Sequence, residues 1–244
     1  MFDLPLIQGL ILSLIALLVG CSKGGVPGLG ILVVPLMADI FPAKMSTGVL
    51  LPMLLMADVF AVIYYHRNAD WKLLRQLLPA SIVGIALSSV VLNILNDRQV
   101  KTTIGIIILM MALTMFLREI GAISKKMPKS HFLTWIVGMA VGSATMLANA
   151  AGPIAGIYLL ALGMEKKEYI GTQAWFFLLI NAIKIPFSLH LGLISGASIW
   201  INVQCLPLII VGVFIGIYIV KKISPVVFSR LVLILAIISA IRMF

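Results

Sequence analysis

The sequence predicts an all-α polytopic membrane protein made of two inverted-topology repeats, with broken helices or re-entrant hairpins among about 8–10 membrane segments. Three observations predict it. The 244 residues are 62% hydrophobic and 11% charged, with a mean hydropathy of +1.18. A soluble domain carries about 25% charged residues, so this chain needs lipid as its solvent. Apolar runs fall into two sets, each with a glycine- or proline-rich break at the corresponding place. Loops at corresponding places carry opposite charge character, as oppositely inserted halves require.

The runs follow in order. Residues 4–20 form the first, with Asp3 as the only early charge and no basic leader, which argues against a cleaved signal peptide. A break, Gly20-Cys21-Ser22-Lys23-Gly24-Gly25-Val26-Pro27-Gly28, precedes a run at 28–40 that is too short to span comfortably. Runs at 45–65, 73–95 and 102–117 complete the first half. The second half repeats the order: 132–147, a break at Ala148-Asn149-Ala150-Ala151-Gly152-Pro153, a short run at 153–162, then 169–191, 201–220 and 227–244. Pro79 and Pro207 are 128 residues apart, as are Gly84 and Gly212. The chain therefore divides into a first membrane repeat at 1–120, a cytoplasmic linker at 121–131 and a second, inverted repeat at 132–244.

Charge orients these runs. Net charge is +10, and the basic residues lie in short loops between apolar runs. That is the positive-inside pattern, not a nucleic-acid footprint, because no stacking aromatics interleave with the bases. Arg67, Lys72 and Arg75 mark one cytoplasmic loop, Arg118, Lys125, Lys126 and Lys129 the linker, and Lys166, Lys167, Lys221, Lys222 and Arg230 the rest. Lys44, Arg98, Lys101 and Arg242 fall outside. Loop 66–75 is charged, and its counterpart 192–200 is not. Whether the chain makes ten spans or six spans and two hairpins, both termini face the periplasm. Trp71, Trp135 and Trp200 stand near span ends as interfacial anchors.

Polar residues inside apolar runs are costly and point to function. Lys23 lies in the first break, where Gly24, Gly25 and Gly28 allow close backbone approach and the next helix offers free N–H groups. Lysine plus helix N-terminus makes an anion site; the alternative is a lysine that snorkels to the interface. Lys184 lies inside 169–191 beside Pro186, with Asn181 one turn away. It either contacts substrate or pairs with Asp58, the carboxylate well inside a long run, and the two readings are compatible in a proton-linked gate. Asp58 is a candidate for proton coupling, against a structural ion pair. Asn149 and Gly152 offer donors from the second break. Thr47, Thr172 and Gln173 open the third run of each half and either bond substrate or cap helices. Cys21 is a small core residue or a reactive thiol; Cys21 and Cys205 are placed for neither a disulfide nor a metal. His66, His131 and His190 show no catalytic or metal spacing, and no hydrolase, zincin or Walker motif occurs.

These residues resemble the TauE/SafE family, the sulfite-exporter-like membrane permeases. The resemblance rests on 20–30 with Val34-Pro35-Leu36, on Leu51-Pro52-Met53 and Ala57-Asp58, on 64–71, Leu78-Pro79, Gly84 and Gly105, and on Ala151-Gly152-Pro153 with Tyr158-Leu159-Leu160. Many members carry Gly-Gly-Gly in the second half, where this chain has Asn149-Ala150-Ala151-Gly152. The resemblance implies a bacterial inner-membrane permease exporting sulfite or an organosulfonate such as sulfoacetate. The expected site is Lys23, Gly24, Gly25, Asn149, Gly152, Lys184, Thr47 and Gln173, with no catalytic residue, metal or cofactor. Expected partners are a small anionic substrate, the bilayer and a second copy in a homodimer, with no nucleic acid. An anion channel, an intramembrane sulfur-transfer protein using Cys21 and an accessory subunit are the alternatives.

Overall fold

The computed structural model describes residues 5–26, 29–121, 130–222 and 234. All but one residue of the run read at 227–244, most of the 121–131 linker, and Pro27 and Gly28 lie outside them. The regular elements among the described residues are all helices: α1 (Leu6–Lys23), α2 (Leu29–Ile40), α3 (Ala43–Tyr65), a 3₁₀ turn (His66–Asn68), α4 (Trp71–Ile94), α5 (Asp97–Glu119), α6 (His131–Ala148), α7 (Gly152–Ala161), α8 (Lys166–His190) and α9 (Gly196–Lys222). Helix is the physical necessity in lipid, because it satisfies each backbone group within its own segment. Six of these helices are long and apolar enough to cross a membrane: α1, α3, α4, α6, α8 and α9. The two short runs form the 12-residue α2 and the 10-residue α7.

Local chemistry sets several ends. The Asp97 carboxylate, at the start of α5, accepts from the N–H groups of Ala43 (3.0 Å) and Lys44 (2.9 Å), capping α3 from another helix. Lys44 Nζ donates to the carbonyls of Asn93 (3.1 Å) and Leu95 (3.3 Å), which closes the C-terminal end of α4. Asn149 ends α6 in the left-handed region at φ 50°, a conformation asparagine tolerates better than most residues.

Helix α3 is the most buried span and packs on α8 at the centre. Around this pair, α1 packs on α9 and α4 on α6. The two outer crossings are built alike. A Cβ on Gly20 of α1 would strike the Ile209 carbonyl of α9, and one on Gly142 of α6 would strike the Ser81 carbonyl of α4. Likewise Gly212 presses on the Leu17 carbonyl and Gly84 on that of Met139. Ser81 and Ile209 share the 128-residue spacing of Gly84 and Gly212. Small residues let helix backbones approach, which is how packing rather than hydrophobicity holds helices together in lipid. The opposite faces are apolar and exposed: Leu87, Val90 and Ile94 on α4, and Leu6, Ile7 and Leu10 on α1. Such surfaces suit lipid.

The glycines of the first break serve this packing. Helix α1 does not stop at Gly20 but runs through Lys23, because Gly20 and Gly24 seat α1 against α9. Lys23 is therefore the last residue of a helix and not part of a loop.

Candidate functional site

Three helices converge on one buried cluster. On α8, Phe177, Asn181 and Lys184 are spaced i, i+4, i+7, so one helical face presents all three. Facing it, α3 contributes Asp58, and α1 contributes Lys23 at its end. Lys23 Nζ lies 2.7 Å from Asp58 Oδ1 and 4.3 Å from the centre of the Phe177 ring. Asn181 Nδ2 donates to Asp58 Oδ2 at 2.6 Å. Asp58 is 0% exposed and the Lys23 side chain 14%. A buried carboxylate is tolerated when paired and hydrogen-bonded, and here each oxygen has a cation or an amide against it.

Lys184 sits one turn further along α8, at 2% exposure. Its ammonium donates to the carbonyl of Thr145 (2.7 Å), to Thr145 Oγ1 (3.2 Å) and to Asn149 Oδ1. All three acceptors are neutral. They belong to the C-terminal end of α6, where the helix dipole favours a cation; the Thr145 carbonyl also accepts from the N–H of Asn149 at 3.0 Å. Asn149 turns the other end of its amide to α3, with Nδ2 donating to the Thr47 carbonyl at 2.8 Å. The second break is thus pinned between α3 and α8.

The geometry changes several roles read from sequence. Asp58 pairs with Lys23 and not with Lys184, because α1 ends beside α3 while Lys184 is turned toward α6. The N–H groups of Gly24 and Gly25 close onto the carbonyls of Gly20 (2.8 Å) and Ser22 (3.2 Å), so they are engaged by α1. The Thr47 hydroxyl donates to the Lys44 carbonyl at 2.8 Å, the back-bond of a helical threonine. Thr172 Oγ1 accepts from the N–H of Asp70 at 2.8 Å and so caps the chain before α4. Gln173 faces Gly156 of α7, and Gly152 opens α7 with free space at its Cα. Cys21 is buried where α1 meets Gly216 of α9, the position of a small core residue. Among the described residues no three His, Cys, Asp or Glu side chains gather as a metal site.

Thr145 and Phe177 escaped the sequence reading. Thr145 acts mainly through its backbone carbonyl, which no residue type advertises. Phe177 does have a signal, since it precedes Asn181 and Lys184 on their helical face.

A family model described as Sulfite exporter TauE/SafE matches residues 12–243. The chain belongs to the TauE/SafE family. Neither the curated proteins nor the solved structures compared with it give a match. The match spans both sets of helices and the whole buried cluster, so the cluster of this TauE/SafE protein is built by the family's own segments and not by an appended element. Membership also accords with the six spans and makes this a multi-pass membrane protein.

Proposed function

We propose that this TauE/SafE protein transports a small sulfur-containing anion, sulfite or an organosulfonate such as sulfoacetate, outward across a bacterial inner membrane. One observation carries the reading. The buried cluster brings two lysine side chains, Lys23 and Lys184, together with one acidic side chain, Asp58. An unpaired charge at membrane depth costs several kcal/mol, roughly, in effective terms. With both lysines charged, an arriving anion offsets that excess and is favoured at this cluster.

The chemistry divides between the two lysines. Lys184 is held by neutral acceptors, so its charge is available to substrate. Lys23 is matched by Asp58, and protonation of Asp58 frees it as a second positive group. That makes Asp58 the candidate for proton coupling. The matched α1–α9 and α4–α6 crossings support an inverted repeat, in which one half rocks against the other around the central α3–α8 pair. The family's transport role and the absence of a nucleophile–base set in the cluster favour transport over sulfur transfer by Cys21.

The test is uptake of sulfite, thiosulfate, sulfoacetate, sulfate and acetate into proteoliposomes holding the purified protein, with Lys23→Met and Lys184→Met alongside. Saturable flux of a sulfur anion that falls at least tenfold in both variants supports the reading. Flux equal to wild type in both variants, or no flux of any sulfur anion, removes it. Counterflow separates a carrier from a channel.

A further inference from the structure

A second polar feature lies at the basic end of α3, apart from the buried cluster. A hollow of about 480 Å³ is lined by Tyr64, Tyr65, His66, Arg67, Asn68 and Lys167. Its size is within the range of small-molecule sites. Its lining brings together two permanent cations and an imidazole with no carboxylate. Glu165 and Glu168 stand at the same end of α8 but do not line it. Among the described residues neither Arg67 nor Lys167 has an ion-pair partner.

The wall is held in place. A Cβ on Gly171 of α8 would meet the backbone of Asn68 at 2.9 Å, so helix and turn are in direct contact. Trp175 Nε1 donates to the His66 carbonyl at 3.2 Å, and the Trp175 ring lies 5.1 Å from that of Trp71. The Thr172 hydroxyl takes the N–H of Asp70 at 2.8 Å. Three contacts from α8 thus fix the turn that carries the hollow. The backbone that carries Arg67 is thereby placed against the start of α8, which carries Lys167, while both side chains stay exposed.

One lining residue reaches back to the end of α1. Tyr65, one of its lining residues, donates from its hydroxyl to the carbonyl of Gly24 at 3.2 Å. Gly24 directly follows Lys23. Tyr65 thus ties the wall of the hollow to the residue after Lys23.

We propose that this basic, tyrosine-walled hollow is a capture site for the transported oxyanion, which then passes Tyr65 to reach Lys23. The proposal rests on the transport reading above. The basic side is the one the loop charges assign to the cytoplasm, which suits capture before export. Arg67 and Lys167 concentrate the anion and set how often it reaches the cluster; they take no part in the later step. The same oxyanion chemistry is offered by phospholipid headgroups, so the experiment separates the two sources.

The test uses the full chain in discs of zwitterionic lipid only. Sulfite and sulfoacetate are titrated while tryptophan fluorescence is read, since Trp175 is bonded to the turn. The comparison is wild type, Lys23→Met and Arg67→Gln/Lys167→Gln. Saturable quenching is expected in wild type and in Lys23→Met, and its loss in the double variant. Quenching that persists in the double variant, or none in wild type, overturns the proposal whatever the flux assay shows. Quenching without flux of any sulfur anion instead sinks the transport reading and leaves the binding site standing. In proteoliposomes the double variant should raise KM about five- to tenfold at about 20 mM salt with Vmax unchanged, and less than about twofold at about 0.5 M salt. An unchanged KM overturns the proposal. So does an effect seen only after adding about 20% anionic phospholipid, which makes a headgroup the occupant.

Discussion

Asp58→Ala tests the buried cluster most directly. The substitution takes from Lys23 a partner at 2.7 Å and from Asn181 an acceptor at 2.6 Å. Breaking a buried pair from one side costs about 3–5 kcal/mol. Lys23 keeps 14% exposure and the Phe177 ring at 4.3 Å. A cation over an aromatic ring is worth about 1 kcal/mol, and the exposed part hydrates, so the lower end of that range applies. The stranded Asn181 amide adds about 1 kcal/mol, and the Oδ1 of the same side chain already has no hydrogen-bond partner. The sum is about 4 kcal/mol. For a chain of this length that lowers Tm by about 10 °C. Lys23→Met strands a carboxylate with no exposure and should cost at least as much. The double variant Lys23→Met/Asp58→Ala removes both charges together and should be less damaged than the singles combined, with a coupling of about 2 kcal/mol or more. Thermal unfolding of the four proteins in one detergent gives the cycle. If the single effects add to within about 0.5 kcal/mol, the ion pair does not hold α1 to α3 and the reasoning fails.

Other perturbations probe separate links. Asn149→Ala and Asn149→Gly both remove the amide between Thr47 and Lys184, and both should impair flux equally. Only alanine is strained at φ 50°, so glycine should be the more stable of the two by about 1 kcal/mol, and equal Tm values would contradict the left-handed cap. Gly142→Val drives a side chain into the Ser81 backbone and should cost about 2–3 kcal/mol or more, while Gly9→Ala, with open space around it, should be neutral or slightly stabilising. Comparable losses in unfolding assays of these two variants would rule out the glycine-seated crossing. Asp97→Ala uncaps α3 and should lower stability by about 1–2 kcal/mol while flux per folded molecule stays at the wild-type level. A lost flux in that variant would place Asp97 in the transport machinery.

Much of the site was legible because charge in an apolar run is expensive. Lys23, Asp58 and Lys184 stood out for that reason, Asn149 as a polar residue in the second break, and all four meet in the structure or lie one helical turn from the meeting point. Gly24, read as allowing close backbone approach, shows what identity alone leaves open. Glycine permits close approach, but its identity does not say what approaches. In the structure α9 approaches, with the Val213 carbonyl against Gly24. The Lys184 alternative failed similarly: a lysine and an aspartate at comparable depth have attractive charges, yet a side chain reaches only what its face of the helix points toward.

The amino-acid order by itself determined the solvent, the helical backbone, the places of the two short helices and the residues too polar to be idle in lipid. These follow from local terms: hydropathy of a run, the need to satisfy every backbone group, and the cost of isolated charge. The tertiary structure alone decided the pairing of Lys23 with Asp58, the capture of Lys184 by the Thr145 carbonyl and the seating of Gly142 on Ser81. Those depend on how each helix is rotated about its axis and which neighbour it faces, and interhelical packing sets that rotation through contacts between residues far apart in the chain.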